Sequence, residues 1–291
     1  ASLSRKLKDK KPNLLFFTEM DEDTLEIIFD NEIGVDGDTT DESPRRPSGN
    51  WAWFGDDEAG MFVAYRSDLY EFVEGTKICT PYFAAGLLMC RASKAVILAV
   101  SVHLEFESSD ARVIRDPSGV EMSWIVNKIK RIAKERFLPA HEKLGVSRNR
   151  SWLELAHAVH QFPSYQCYRD AAQKFVILGG DFNINRKNCD PFLIAEGELE
   201  VLAMLFDVPK LVISTRTAGA ADTNMCQPCH QLEHIAVSSN LMAEHFTYDP
   251  ETFGPCRHHP FEYSKTLDAI HILPGAYSDH ASIFAKLSTV A

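Results

Sequence analysis

Apolar residues along this chain fall into short runs, and polar or acidic residues stand where those runs end. Leu14 to Phe17 is a four-residue apolar run that delivers Thr18 and Glu19. Gly60 to Tyr65 and Ala95 to Val102 have the length and composition of buried strands, and the second leads into His103. Phe175-Val176-Ile177-Leu178 predicts another buried strand, which stops at Gly179-Gly180 and continues into Asp181-Phe182-Asn183. Leu267 to Leu273 and Ser282 to Leu287 predict two more strands near the C-terminus. Helical spacing takes over from Ser123 to Leu138, where Trp124, Ile125, Ile129, Ile132, Phe137 and Leu138 recur on one side. A second helix is predicted over Trp152 to Gln161. Residues 1 to 11 read as the end of a basic helix stopped by Pro12, and Asp36 to Asn50 as a long exposed loop. Strands alternating with helices and long loops predict a layered α/β fold in a single domain spanning residues 1–291.

Composition narrows the class without naming a function. A chain of 291 residues with 45% hydrophobic and 24% charged residues has the make-up of an ordinary globular protein. No apolar stretch approaches the ~18 residues of a membrane-spanning helix. The formal net charge of −11 argues against a broad nucleic-acid-binding face. A local metal site can offset acidic surroundings, so a nuclease is not excluded. Seven scattered cysteines, an odd number, fit reduced thiols or a metal site better than a complete disulfide framework. No secretory leader is visible, and an intracellular setting is slightly favoured.

The chemistry is concentrated at the predicted strand ends. In extended backbone, residues two apart share a face, so Asp181 and Asn183 are expected to point together into one pocket. The two glycines before them are expected to let the backbone approach a ligand. An acid beside a neutral amide suits phosphate chemistry: one orients water, the other donates to a phosphoryl oxygen. Asp268 interrupts an apolar run, and a buried carboxylate needs a partner, such as a histidine that requires orienting. Ser278-Asp279-His280 precedes the last strand. Glu58, close to the start of the Gly60 strand, is a positional candidate for an acidic partner of His103.

Taken in order, Pro12 with Glu19, His103-Leu104, Gly180-Asp181-Phe182-Asn183, Leu267-Asp268 and Ser278-Asp279-His280 resemble the endonuclease/exonuclease/phosphatase superfamily. That group contains DNase I-like nucleases, abasic-site endonucleases, deadenylases, inositol polyphosphate 5-phosphatases and neutral sphingomyelinases. The resemblance runs from about residue 12 to about residue 287. It implies a four-layered sandwich of two packed, mainly antiparallel sheets flanked by helices, with the site at one end. It implies that Glu19 binds Mg²⁺ (or Mn²⁺), with Asp279 assisting near the metal. Asp181 and Asn183 would orient the attacking water and hold a phosphoryl oxygen. His280 would be the general base, held in its tautomer by Asp268, and His103 would stabilise charge on the pentacovalent phosphorus. Phosphoester cleavage by direct water attack needs these parts: an in-line nucleophile, neutralised equatorial oxygens and a base working near neutral pH.

The chain also departs from the family pattern. The resemblance implies a preceding strand whose Asn shares the metal with Glu19, and the sequence begins after that point. Thr18 stands where a Gln is usual, and Val102 where a Thr is usual. The 5-phosphatase signature runs are absent, which leaves a nuclease or a sphingomyelinase-like phospholipid phosphodiesterase. The acidic balance slightly disfavours the nuclease, whereas Lys128, Lys130, Arg131, Lys134 and Arg136 on the predicted helix slightly favour it. An alternative of a different class is a catalytically inactive member serving as a binding module.

A separate Cys/His segment lies within residues 216–264, read as an insertion or loop that helps shape the substrate pocket. Cys226-Gln-Pro-Cys229-His230, then His234, then Cys256-Arg-His258-His259 contain one well-spaced half of a zinc site. Cys226, Cys229, Cys256 and His258 are the candidate Zn²⁺ ligands. An unligated loop, a disulfide and covalent haem attachment at Cys-x-x-Cys-His are the competing readings.

Overall fold

The structure, a computed structural model, describes residues 11–30, 50–104, 146–182, 199–200, 202–213, 233–249, 263–264, 269–270 and 282–289. The first half holds β1 (Leu14–Phe17), α1 (Glu22–Asp30), β2 (Trp51–Asp56), β3 (Met61–Arg66), β4 (Tyr70–Phe72), β5 (Ile78–Thr80), β6 (Phe83–Cys90) and β7 (Val96–His103). Then come α2 (Val146–Gln161), a 3-10 turn at Pro163–Tyr165, α3 (Gln166–Asp170), β8 (Lys174–Asp181) and β9 (Leu211–Ile213). Last are β10 (Glu233–Ser238), β11 (Leu241–Asp249), β12 (Tyr263–Ser264), β13 (Ala269–Ile270) and β14 (Ser282–Thr289).

Four layers result, as expected. The outermost is α1, which buries Leu25 and Phe29 against Phe17, Trp53, Phe62 and Ala64 on the outer face of the sheet β1-β3-β2. The inner face of that sheet, with Ala52, Phe54, Val63 and Tyr65, packs on Leu88, Ile97, Ala99, Phe175, Ile177 and Val237 of the large sheet. The large sheet runs β4-β6-β7-β8-β10-β9, with β5 also on β6. Its other face carries Leu87, Leu98, Val100, Val102, Val176 and Leu178 into a core with Trp152, Leu155, Ala156 and Val159 of α2. Those four helical positions lie three or four apart on one stripe, as the sequence period requires. Helical residues 199–200 and 202–205 contribute Leu199, Leu202 and Phe206, just beyond them, to the same core. Alternation along β7 and β8 therefore sends even-numbered side chains to the helices and odd-numbered ones between the sheets.

Every pairing among these strands is antiparallel except one. β7 and β8 run parallel, in a register from Val96↔Lys174 to His103↔Asp181. A parallel pair needs a long crossover, and α2 and α3 lie within it. Its consequence for function is geometric: both strands finish at the same end of the sandwich.

Several sequence expectations are adjusted here. The second helix begins at Val146, ahead of Trp152, and the closing strand extends to Thr289. Of the strand expected over Leu267 to Leu273, Ala269–Ile270 is seen, paired with Tyr263–Ser264. The helices expected over residues 1–11 and 123–138 and the loop over 36–50 lie outside the described residues, except for Lys11, which is not helical, and Asn50. Among the described residues no helix is long and apolar enough to cross a membrane.

Candidate active site

Three strand ends bring the described candidates together. β7 ends in His103 and β8 in Asp181, register partners in the parallel pair. Both are odd-numbered, so both face the gap between the sheets, where β1 ends and delivers Glu19. His103 Nε2 lies 3.5 Å from Glu19 Oε1 and 4.0 Å from Asp181 Oδ2. Two carboxylates and one imidazole thus share one end of the sandwich. Strand C-termini are where open α/β sheets ordinarily present ligand-binding groups.

The three differ in solvation. The Asp181 side chain is 4% exposed, that of His103 28% and that of Glu19 56%. A carboxylate buried as deeply as Asp181 is expensive unless neighbouring dipoles or charges compensate it. The arrangement therefore grades from a buried acid through a half-buried imidazole to an acid at the surface.

Local backbone chemistry holds Glu19 in place. It adopts a left-handed φ of 54°, which costs a non-glycine residue about 1 kcal/mol. On one side, Met20 N–H donates to the Gly60 carbonyl at 3.0 Å, pinning the loop to the β2–β3 turn. Immediately afterwards α1 begins, capped by Asp21, whose Oδ1 accepts from Thr24 N–H at 2.6 Å. Hydrogen bonding from the Thr24 side chain, and then from its backbone N–H, holds the exposed Asp21 carboxyl below its ordinary range. Asp57 Oδ1 adds a second acceptor for the helix start, at 2.8 Å from Glu22 N. Glu19 is trapped between a capped helix and the end of a strand.

The two glycines have a different purpose from the one expected. A Cβ at Gly179 would lie 2.6 Å from the Phe16 ring, and a Cβ at Gly180 would lie 2.2 Å from the Val102 carbonyl oxygen. Gly180 also has φ of +137°, which L side chains rarely adopt. The glycines admit neighbouring protein, β1 and β7, in the places where the sequence suggests a ligand. Thr18 packs towards Gly180: its Cγ2 is 3.0 Å from the position of a Cβ there.

The partner expected for His103 also changes. Glu58 is exposed in the β2–β3 turn, and Glu19 is the acid beside the imidazole. Nothing in the sequence signals that pairing, because the two residues are distant in the chain and meet only when the two sheets pack. His234, part of the Cys/His string in sequence, lies buried within β10, with its ring 5.7 Å from Phe182 in an edge-to-face contact. It is the register partner of Gly180 and sits on the helix side of the sheet, away from Glu19. Glu233, one residue earlier, is the register partner of Asp181. Asn183, Asp268, Asp279 and His280, and the zinc candidates Cys226, Cys229, Cys256 and His258, lie outside the described residues. Among the described residues no group of three or more His, Cys, Asp or Glu is spaced to hold a metal on its own.

By sequence, no family model and no curated protein matches the chain. Solved structures do match it. An endonuclease/exonuclease/phosphatase from Bacteroides vulgatus aligns with TM-score 0.52 and 12% identity over 99% of this chain and 89% of that one. A family protein from Bacteroides thetaiotaomicron aligns with TM-score 0.51 and 11% identity, covering 98% and 86%. The mannosyl-6-phosphatase of Bacteroides thetaiotaomicron VPI-5482 gives TM-score 0.51 and 11% identity, covering 98% and 89%. The fold of this chain is the fold these structures share, a DNase I-like α/β sandwich.

Proposed function

We propose that this protein is a Mg²⁺- or Mn²⁺-dependent phosphoester hydrolase, a phosphodiesterase acting on nucleic acid or a phospholipid head group by direct attack of water. The observation that carries the reading is the meeting of Glu19, His103 and Asp181 at one end of the sandwich, with Nε2 of His103 within 4.0 Å of both acids. Two acids and an imidazole converging at strand ends are the kind of constellation that proton and phosphoryl chemistry uses.

Each side chain has a task that its setting suits. Asp181, buried and fixed by the strand register, orients the attacking water. His103, half-buried, offers an N–H to the phosphoryl oxygens as charge develops on them. Glu19 fits a hard cation: it is an oxygen donor, exposed enough to leave room for the waters Mg²⁺ retains, and it is fixed by the backbone. Asp279 would complete that donor set. When bound, the cation supplies Lewis-acid neutralisation of the phosphoryl oxygens. Asn183 holds a phosphoryl oxygen, and Asp268 orients His280 as the base.

An activity panel over DNA, RNA, sphingomyelin and phosphoinositides, with Mg²⁺ and with chelator, tests the reading and chooses among substrates. Turnover of none of them, together with retained binding to one, would replace it with an inactive binding module. In an active protein, His280→Ala is expected to cost about 10²- to 10⁴-fold in rate. Asp268→Asn should be comparably severe and strongly non-additive with it. Multiplicative losses would give Asp268 another job. Zinc analysis of the purified protein tests the Cys226-Cys229-Cys256-His258 site, and substoichiometric zinc would remove it.

A further inference from the structure

Ser101 is a hydroxyl at a position that packing alone would fill with an apolar side chain. It lies on the face of β7 shared by Ile97, Ala99 and His103, turned towards the three-stranded sheet, and it is fully buried. Its Oγ donates a 2.7 Å hydrogen bond to the carbonyl of Phe17, the last residue of β1. Glu19 stands two residues beyond Phe17, and His103 two residues beyond Ser101. One directional bond thus joins the two sheets at the point from which both site residues depart.

Apolar contact between sheets is non-directional and leaves small lateral shifts cheap. A buried hydrogen bond does not, because a shift that breaks it leaves a buried carbonyl without its donor. The rest of the contact is equally close. Phe16 lies against Gly179, and Thr18 faces Gly180, so the end of β1 rests directly on β7 and β8. We propose that Ser101 is a positioning residue, whose bond to Phe17 sets the spacing of Glu19 and His103. The proposal rests on the hydrolase reading for its consequence in turnover, but the spacing itself can be read without turnover.

Ser238 supplies a matched control. It too is fully buried and on the large sheet, and its Oγ accepts Val176 N–H at 3.1 Å, at the end away from Glu19. The test compares Ser101→Ala, Ser101→Cys and Ser238→Ala in three measurements: the ring resonances of His103 in protein carrying labelled histidine, the Mg²⁺ dissociation constant, and kcat and KM. The His103 signal is identified by its loss in His103→Asn. Ser101→Ala is expected to shift the His103 resonances, weaken Mg²⁺ binding several-fold, and lower kcat about 10- to 100-fold with KM little changed. Ser101→Cys, which nearly keeps the volume but weakens the donor, should fall between Ser101→Ala and wild type. It carries the comparison alone if Ser101→Ala does not fold. Ser238→Ala should leave all three measurements unchanged while lowering the melting temperature. Unmoved His103 resonances in both Ser101 variants, or equal shifts in Ser238→Ala, would overturn the proposal. A wild-type protein that turns over none of the phosphoesters would overturn the hydrolase reading instead, and the resonances would still decide the role of Ser101.

Discussion

The two ends of the sandwich handle charge in opposite ways. At the end where β3, β4 and β6 meet the starts of β7 and β8, the described residues form three separate cation–acid pairs. Arg66 grips Asp68 at 2.6 Å, Lys174 meets Asp207 at 2.6 Å, and Arg91 meets Glu71 at 3.2 Å. At the other end, Glu19 and Asp181 crowd one imidazole, and the deeper acid is buried. Matched surface pairs contribute little energy and ask for no explanation beyond folding. A buried acid shared with a second acid around one imidazole is not explained by pairing for stability alone, and such groupings mark sites of function. The contrast separates structural electrostatics from candidate chemistry within one sheet.

Chelation should break the comparison most completely. EDTA is expected to abolish turnover, while leaving the melting temperature of the metal-free protein set by its core. Glu19→Gln should weaken Mg²⁺ affinity and change stability by less than about 0.5 kcal/mol, since an exposed strand-end carboxylate adds little to packing. Metal titrations of rate and of tryptophan fluorescence provide the check. Full activity in chelator would remove the metal assignment.

Next come the two side chains beside Glu19. His103→Ala and Asp181→Asn should each lower kcat about 10²- to 10³-fold, as loss of a preorganised polar group does. In Asp181→Asn, which keeps the shape and volume of the side chain, the loss of kcat should outweigh any change in melting temperature. The reverse result, a large fall in melting temperature with activity retained, would make Asp181 a structural acid like those at the far end.

Gly180→Ala tests the scaffold beneath the site. The added Cβ meets the Val102 carbonyl at 2.2 Å in a backbone conformation with φ of +137°. Left-handed strain and overpacking together are expected to cost about 2–4 kcal/mol in denaturant unfolding. A cost below about 0.5 kcal/mol would mean that β7 and β8 can part there without consequence.

These experiments bear on how far the sequence could be read. β1, β3, β7 and β8 were legible because each is an apolar run too short for a helix and punctuated by polar or glycine residues. The sequence reading predicts no strand over Phe83 to Cys90, which sits within the large sheet, paired with β7 on one side and with β4 and β5 on the other. Its residues Phe-Ala-Ala-Gly-Leu-Leu-Met-Cys include no β-branched side chain, and burial on both faces overrides that local preference. Gly86 within it leaves space that Phe72 and Phe54 fill, at 2.8 and 3.0 Å from a built Cβ. At the site, residue identities were legible and their partners were not. A glycine pair announces close approach without naming what approaches, and the sequence suggested a ligand where Phe16 and Val102 stand. The Glu19–His103 contact arises from packing one sheet on another, which no local pattern encodes.

The smallest expected effect lies at the far end, in the Arg66–Asp68 pair. Arg66 Nε and Nη2 donate to the two Asp68 oxygens at 2.7 and 2.6 Å, a bidentate geometry better than most surface pairs achieve. That hydrogen bonding from Arg66 holds the Asp68 carboxyl below its ordinary 3.8, and in turn raises the already high Arg66 guanidinium. Asp68 is 37% exposed, so solvent screens most of the attraction. Asp68→Asn is therefore expected to cost about 0.5–1 kcal/mol at pH 7, less in high salt, with no change in kcat. The pH dependence has a definite sign. A carboxyl with a lowered folded-state value contributes its stability above the unfolded value, and loses it as pH falls through the folded one. The gap between wild type and Asp68→Asn should thus be constant from neutral pH down to about 5, then narrow in more acidic solution while both remain folded. Arg66 stays charged throughout and adds no slope. Denaturant midpoints of the two proteins across that range measure the gap. A gap that widens on acidification would mean Asp68 is stabilised by something other than Arg66. A loss of kcat would tie this end of the sheet to the chemistry at the other, and the division between them would fail.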